Sequence, residues 1–108
     1  MTIRVLVADD QALVRAGIRM LIETQPDLEV TGEAADGMAA VSEVTRSCPD
    51  VVLMDIRMPR LDGIEAARQI VALGPGSAKV VMRDRAQTVI YGYETSLVPP
   101  GGRSSKTE

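Results

Sequence analysis

Three aspartates, Asp9, Asp10 and Asp55, stand where aliphatic runs stop. Ile3-Arg-Val-Leu-Val-Ala8 runs into Asp9-Asp10, and Val51-Val-Leu-Met54 runs into Asp55, followed by Ile-Arg-Met-Pro59-Arg-Leu-Asp-Gly63. A buried strand that ends in a carboxylate delivers it to the rim of a sheet. If the two runs lie side by side and parallel, all three carboxylates converge on one edge, where like charges repel unless a cation sits among them. Hard carboxylate oxygens suit Mg2+. A strand-end carboxylate beside Mg2+ is chemically suited to accept a phosphoryl group. The plainer alternatives are a capping or surface role for Asp55 and an N-cap pair at Asp9-Asp10. Capping and metal binding at Asp9-Asp10 are compatible. The position of Asp55 after four apolar residues and before Met58-Pro59 favours chemistry.

Strand and helix patterns alternate from residue 3 to residue 82. Ile3–Ala8 reads as a fully buried strand. Leu13, Val14, Gly17, Ile18, Leu21 and Ile22 form a broad helical stripe that Pro26 ends. Leu28–Ala34 is a weaker strand, with Leu28, Val30 and Gly32 alternating against Glu29, Thr31 and Glu33. Asp36-Gly37 marks a turn, and Met38, Val41 and Val44 share one face of a helix that stops before Cys48-Pro49. Val51–Met54 is the third strand. Asp62 with Glu65 three residues on predicts an N-cap. Ile64, Ala67, Ile70 and Val71 are the buried face of the helix it opens, Gly74-Pro75-Gly76 stops that helix, and Lys79–Met82 is a short fourth strand. Strands alternating with helices over short links imply a parallel sheet with right-handed crossovers. Ligand sites in such sheets lie at the carboxyl ends of the strands, where Asp9, Asp10 and Asp55 sit.

The composition narrows the chemistry. The 108 residues suit one domain, and 45% hydrophobic with 2% aromatic content gives an aliphatic core. A net charge of −3 argues against generic nucleic-acid binding. The chain has no histidine, which removes imidazole general-base chemistry and the usual zinc sites. One cysteine, Cys48, excludes an internal disulfide and fits a reducing, cytoplasmic setting. Cys48 is expected to be a small buried residue in the turn before Pro49. No long apolar span predicts a membrane segment. Arg15 and Arg19 read as a solvated helix face, Arg57 and Arg60 as solvated loop charges, and Met54 and Met58 as core and rim packing. A haloacid-dehalogenase-type phosphatase, which also uses a strand-end Asp, needs a second Asp two residues on, and that position is Arg57.

From residue 1 to Met82 the chain resembles the receiver domain of a bacterial two-component response regulator, nearest the NarL/LuxR type. The likeness rests on Val5-Leu-Val-Ala-Asp9-Asp10-Gln, Val14-Arg-Ala-Gly17, Glu33-Ala-Ala-Asp-Gly37, Asp50-Val-Val-Leu-Met-Asp55-Ile-Arg-Met-Pro59 and Asp62-Gly63-Ile-Glu-Ala. It implies a flavodoxin-like (CheY-like) α/β fold in three layers, with strand order 2-1-3-4. It implies that Asp55 is the phosphoacceptor, that Asp9, Asp10 and Asp55 hold Mg2+, and that the backbone carbonyl of Arg57 completes the protein ligands. It implies a sensor histidine kinase as partner.

The likeness fails after Met82. Receivers carry a Ser or Thr at the end of the fourth strand; here Arg83 and Asp84 follow. They also carry a Lys at the end of a fifth strand. Lys79 lies at the wrong end of its strand and Lys106 in a polar tail. Residues 83–98 instead resemble the last helix of a LuxR-type DNA-binding domain, a helix that often mediates dimer contacts. Ala86, Val89, Ile90, Tyr93 and Leu97 fall at helical spacing, and Asp84 can cap the start. The competing reading is a strand at Thr88–Tyr91, since Thr, Val, Ile and Tyr favour sheets. That strand is not the parallel fifth one of a receiver, because a crossover needs roughly 10–12 residues. On the helical reading the chain is an internally shortened regulator with three parts: a receiver-like domain at 1–82, a terminal amphipathic helix at 83–98 and a disordered tail at 99–108. The sheet is then incomplete after its fourth strand, which is an exposed edge unless the helix covers it. Such an edge favours a homodimer. The helix that would read DNA is missing, so direct DNA binding is not expected. The rival to a signalling receiver is a non-switching interaction module.

Overall fold

The two aliphatic runs that end in aspartate form adjacent central strands. In the computed structural model, which describes residues 1–74 and 76–84 and the backbone of residues 89–93, the elements are β1 (Ile3–Ala8), α1 (Ala12–Glu23), β2 (Leu28–Ala34), α2 (Gly37–Ser47), β3 (Val51–Asp55), α3 (Gly63–Val71), β4 (Lys79–Asp84) and β5 (Val89–Tyr93). The sheet order is β2-β1-β3-β4-β5, with the first four strands parallel and β5 antiparallel to β4. The flavodoxin-like order 2-1-3-4 expected of the first four strands is therefore the observed one.

Strand alternation builds the layers. On one face Leu6, Ala8, Val52, Met54, Val80 and Met82 pack against Ala40 and Val44 of α2 and Ala66, Ala67 and Ile70 of α3. On the other, Val5 and Val7 pack against Ile22 and Ile18 of α1 with Leu28, Val30 and Leu53. Small residues on α2 and α3 let those helices sit close to the sheet. The pairing of β1 with β2 slips between Val5 and Leu6, one extra residue that lets both strands end together at Ala8 and Ala34. Met54 and Met58 are buried, as expected.

Several expectations are corrected. β4 runs two residues further than expected, through Asp84, so Asp84 ends a strand rather than opening a helix. Residues 89–93 form a strand, not part of a terminal helix. The short link from Asp84 to Val89 is too short for a crossover but suits an antiparallel return, and the unpaired edge of β4 supplies the hydrogen-bonding partner. The edge of β4 is thus covered within the chain. The rest of the expected 83–98 helix and the 99–108 tail lie outside the described residues. The expected stripe of α1 is narrower than its sequence: Ile22 is buried, but Leu13 and Leu21 are 85% and 70% exposed. Met38 is also exposed, and Gly37, Ala40 and Val44 form the buried line of α2 instead. Cys48 is exposed rather than buried, because it caps α2 in the left-handed conformation, φ 49°.

Candidate functional site

Each carboxylate reaches the sheet edge by a different local device. Asp9 follows β1 directly and is 1% exposed. Its N–H donates to the Ala34 carbonyl at 3.0 Å, which continues the β1–β2 pairing to the rim. Its Oδ1 accepts the Gln11 N–H at 2.9 Å and so meets one of the orphan donors at the start of α1. Gln11, the N-cap itself, offers no side-chain cap. The N-cap of α1 is therefore Gln11, not Asp9 or Asp10 as expected, and Asp9 instead braces the N-cap backbone. Asp10 is exposed. Asp55 is the last residue of β3 and is 2% exposed.

The loop beyond Asp55 is held by backbone bonds. The Ile56 N–H donates to the Arg83 carbonyl at 2.9 Å, and the Gly63 N–H donates to the Ile56 carbonyl at 2.8 Å. Gly63 has to be glycine: a Cβ there would stand 2.1 Å from the Asp55 carbonyl oxygen. Gly37 is similar, since its Cβ would stand 1.9 Å from the Leu61 carbonyl oxygen. The loop after Asp55 therefore lies directly against the first residues of α2 and α3. Asp62 caps α3, accepting the Glu65 N–H at 2.9 Å, as expected from its spacing.

The result is a cluster in which Asp9, Asp10 and Asp55 each offer a carboxylate oxygen within 4.8 Å of the others. Oxygens opposite one another on an octahedral Mg2+ stand about 4.2 Å apart, twice the usual bond length. A small side-chain movement would bring the three oxygens onto one ion. The donor set is all oxygen, hard and anionic, so the residues present fit Mg2+ or a similar divalent ion. Arg57, expected to lend its carbonyl, lies two residues beyond Asp55; its exposed guanidinium is 3.8 Å from Asp84 Oδ2.

Residues expected to be solvated charges, turn residues or caps also shape this edge. Arg15 is not a solvated surface charge: its Nη1 donates to the Asp9 carbonyl at 2.7 Å and its Nε to Glu33 Oε1 at 2.9 Å. Arg19 Nη1 donates to Glu33 Oε2 at 2.6 Å. Together they tie α1 to β2 and hold the Glu33 carboxyl below the ordinary carboxylate range, Arg15 contributing most. Asp36 accepts the Ala39 N–H at 2.8 Å and pairs with Arg60, which lowers its pKa, the Ala39 bond being the larger cause. Arg60 thus ties the loop after Asp55 to the start of α2. Arg83 Nη1 lies 3.5 Å from Asp9 Oδ2. Asp84, 6% exposed, puts a fourth buried carboxylate at the end of β4. For Arg83 and Asp84 the only signal in sequence was their position after the apolar run Val80–Met82.

Comparison with known proteins gives a consistent picture. Residues 5–92 match the response regulator receiver domain family. The chain is 46% identical over 92 residues to the transcriptional regulatory protein YxjL of Bacillus subtilis, covering 85% of this chain and 42% of that one. It is 52% identical over 68 residues to the transcriptional regulatory protein LiaR of the same organism, covering 63% and 32%. Among solved structures it is similar to the response regulator domain of Thermotoga maritima CheB, with a TM-score of 0.74 and 44% identity over 78% of this chain and 61% of that one. It is also similar to the signal receiver domain of NarL from Mycobacterium tuberculosis, with a TM-score of 0.73 and 34% identity over 77% and 66%. The chain spans less than half the length of the curated regulators it matches. Among the described residues, no helix is long and apolar enough to cross a membrane.

Proposed function

Because the chain belongs to the response regulator receiver domain family, we propose that Asp55 is its phosphoacceptor and that Asp9, Asp10, Asp55 and the Arg57 carbonyl hold Mg2+. Receiver domains act in two-component signalling and are phosphorylated by sensor histidine kinases. One observation carries the residue assignment: the three carboxylates offer oxygens within 4.8 Å of one another at the carboxyl edge of a parallel sheet.

In the proposed reaction a carboxylate oxygen of Asp55 attacks the phosphorus of a phosphohistidine or small phosphodonor. The bond from phosphorus to the donor's leaving group breaks, the leaving group departs with that electron pair, and Asp55 becomes an acyl phosphate. Bound Mg2+ would neutralise charge on the transferring group. Burial of Asp55, at 2% exposed, limits water at the acyl phosphate. Arg15 and the Gln11 N–H hold Asp9 in place from two sides. Gly63 lets α3 approach the Asp55 backbone without a clash.

Transfer is proposed to be slow, with weak switching. The family likeness calls for a hydroxyl at the end of β4, and that place is held by the buried carboxylate Asp84. A carboxylate repels a phosphoryl group where a hydroxyl would donate to it. This observation also supports the second reading, a non-switching interaction module. We further propose that the chain forms a homodimer, acts in the cytoplasm, and belongs to a transcriptional regulator without binding DNA itself. Support for self-association comes from the exposed Leu13, Met20 and Leu21 of α1 and from Val51, Leu53 and Val81, which are only half-buried on the sheet. The test is the mass of the intact protein after acetyl phosphate treatment with Mg2+. Partial, slow gain of one phosphoryl group in the wild type and none in Asp55→Asn is the expected result. Equal labelling of both removes Asp55 from the role.

A further inference from the structure

Resting on that reading of the pocket, we infer that Arg83 is a built-in cation that competes with the divalent metal for Asp9. Both oxygens of the Asp9 carboxylate are engaged: Oδ1 by the Gln11 N–H at 2.9 Å and Oδ2 by Arg83 Nη1 at 3.5 Å. The first partner belongs to the backbone at the start of α1 and has nowhere to go. The second is a long side chain, 22% exposed, that can swing toward water. A metal that takes Oδ2 of Asp9 therefore competes with the guanidinium for it.

The backbone holds Arg83 at this place. Arg83 is the register partner of Asp55 in the parallel β3–β4 pair, and its carbonyl accepts the Ile56 N–H at 2.9 Å. Strand alternation puts its side chain on the face of Asp55 and Leu53, opposite to Met82. The guanidinium offsets part of the negative charge that Asp9, Asp10 and Asp55 bring together, which stabilises the edge when no metal is bound. The same charge opposes the entry of a divalent ion. Keeping that charge beside the site is expected to cost a divalent ion about tenfold in affinity, roughly 1.4 kcal/mol.

Calorimetric titration with Mg2+, and separately Mn2+, tests this on the wild type, Arg83→Met and Arg83→Lys. Both ions are expected to bind Arg83→Met about tenfold more tightly than the wild type. Arg83→Lys is expected to stay within a few-fold of the wild type, because the charge is kept. Equal affinities for wild type and Arg83→Met overturn the competition while leaving the metal site in place. Absence of binding in both overturns the metal site and the competition with it. Should Arg83→Met fail to fold, nitrogen-detected NMR of the wild type decides instead. The Arg83 Nε resonance moves on Mg2+ saturation if the guanidinium leaves Asp9; if it stays put while the Asp9 and Asp10 amides shift, the competition is wrong.

Discussion

Replacing Gly63 by alanine adds one methyl group at the point where α3 touches the end of β3. That carbon would sit 2.1 Å from the Asp55 carbonyl oxygen, 2.9 Å from the Ile56 Cα and 3.0 Å from the Asp55 carbonyl carbon. All three are backbone atoms, so no rotamer change relieves the overlap. The oxygen contact alone needs roughly 1 Å of separation to reach van der Waals distance. α3 and the end of β3 have to part, and the Gly63 N–H bond to the Ile56 carbonyl at 2.8 Å stretches with them. Overpacking of this kind costs about 1–3 kcal/mol. In a domain of this size each kcal/mol lowers Tm by about 4–8 °C. The control is the same substitution at Gly17 in the interior of α1, where an added Cβ meets nothing within 4 Å. There alanine is expected to stabilise by about 0.5–1 kcal/mol through helix propensity. Urea unfolding of both variants measures the two signs in one experiment. Gly63→Ala within about 0.5 kcal/mol of the wild type would refute the close approach of α3 to Asp55.

Asp36→Ala is expected to lose about 1 kcal/mol at neutral pH, the usual worth of an N-cap, by urea unfolding. The folded pKa of Asp36 is lowered, so its contribution is present above the ordinary carboxylate range and fades as pH falls through the folded value. The gap between wild type and Asp36→Ala should therefore close in acid, and a gap independent of pH contradicts the pairing with Arg60 and the Ala39 N–H. Asp84→Thr removes a buried negative charge and supplies a hydroxyl; relief of about 1 kcal/mol predicts roughly fivefold faster labelling by acetyl phosphate, followed by intact mass against time. An unchanged rate would place Asp84 outside the reaction's field. Light scattering at micromolar concentration should show a dimer, and a monomer there contradicts the proposed self-association.

The central part of the fold was legible because its signals do not compete. The runs Val5–Ala8 and Val51–Met54 are apolar on both faces, and a central parallel strand suits such a run. Asp9, Asp10 and Asp55 follow from where those runs end. Asp62 was legible because capping is local. Residues 89–93 were not, because the same apolar residues satisfy a helical spacing and a β composition. The choice between them was made by the bare edge of β4, which is tertiary. Arg15 and Arg83 were opaque for a related reason. A charged residue on a helix or strand looks solvated until its partner is known, and their partners, Glu33 and Asp9, are distant in sequence. The exposure of Leu13, Leu21 and Met38 shows the converse: periodicity marks where an apolar face lies, not how wide a neighbour covers it.

Which carboxylate receives the phosphoryl group is open to direct measurement. Treating the Mg2+-loaded protein with acetyl phosphate, reducing the acyl phosphate with borohydride and sequencing the peptides by mass spectrometry marks the reacted aspartate as homoserine. Homoserine is predicted at Asp55 alone, in partial yield that rises slowly with time. Homoserine at Asp9 or Asp10, or none at any of the three, would contradict the assignment of Asp55 as nucleophile with Asp9 and Asp10 as metal ligands.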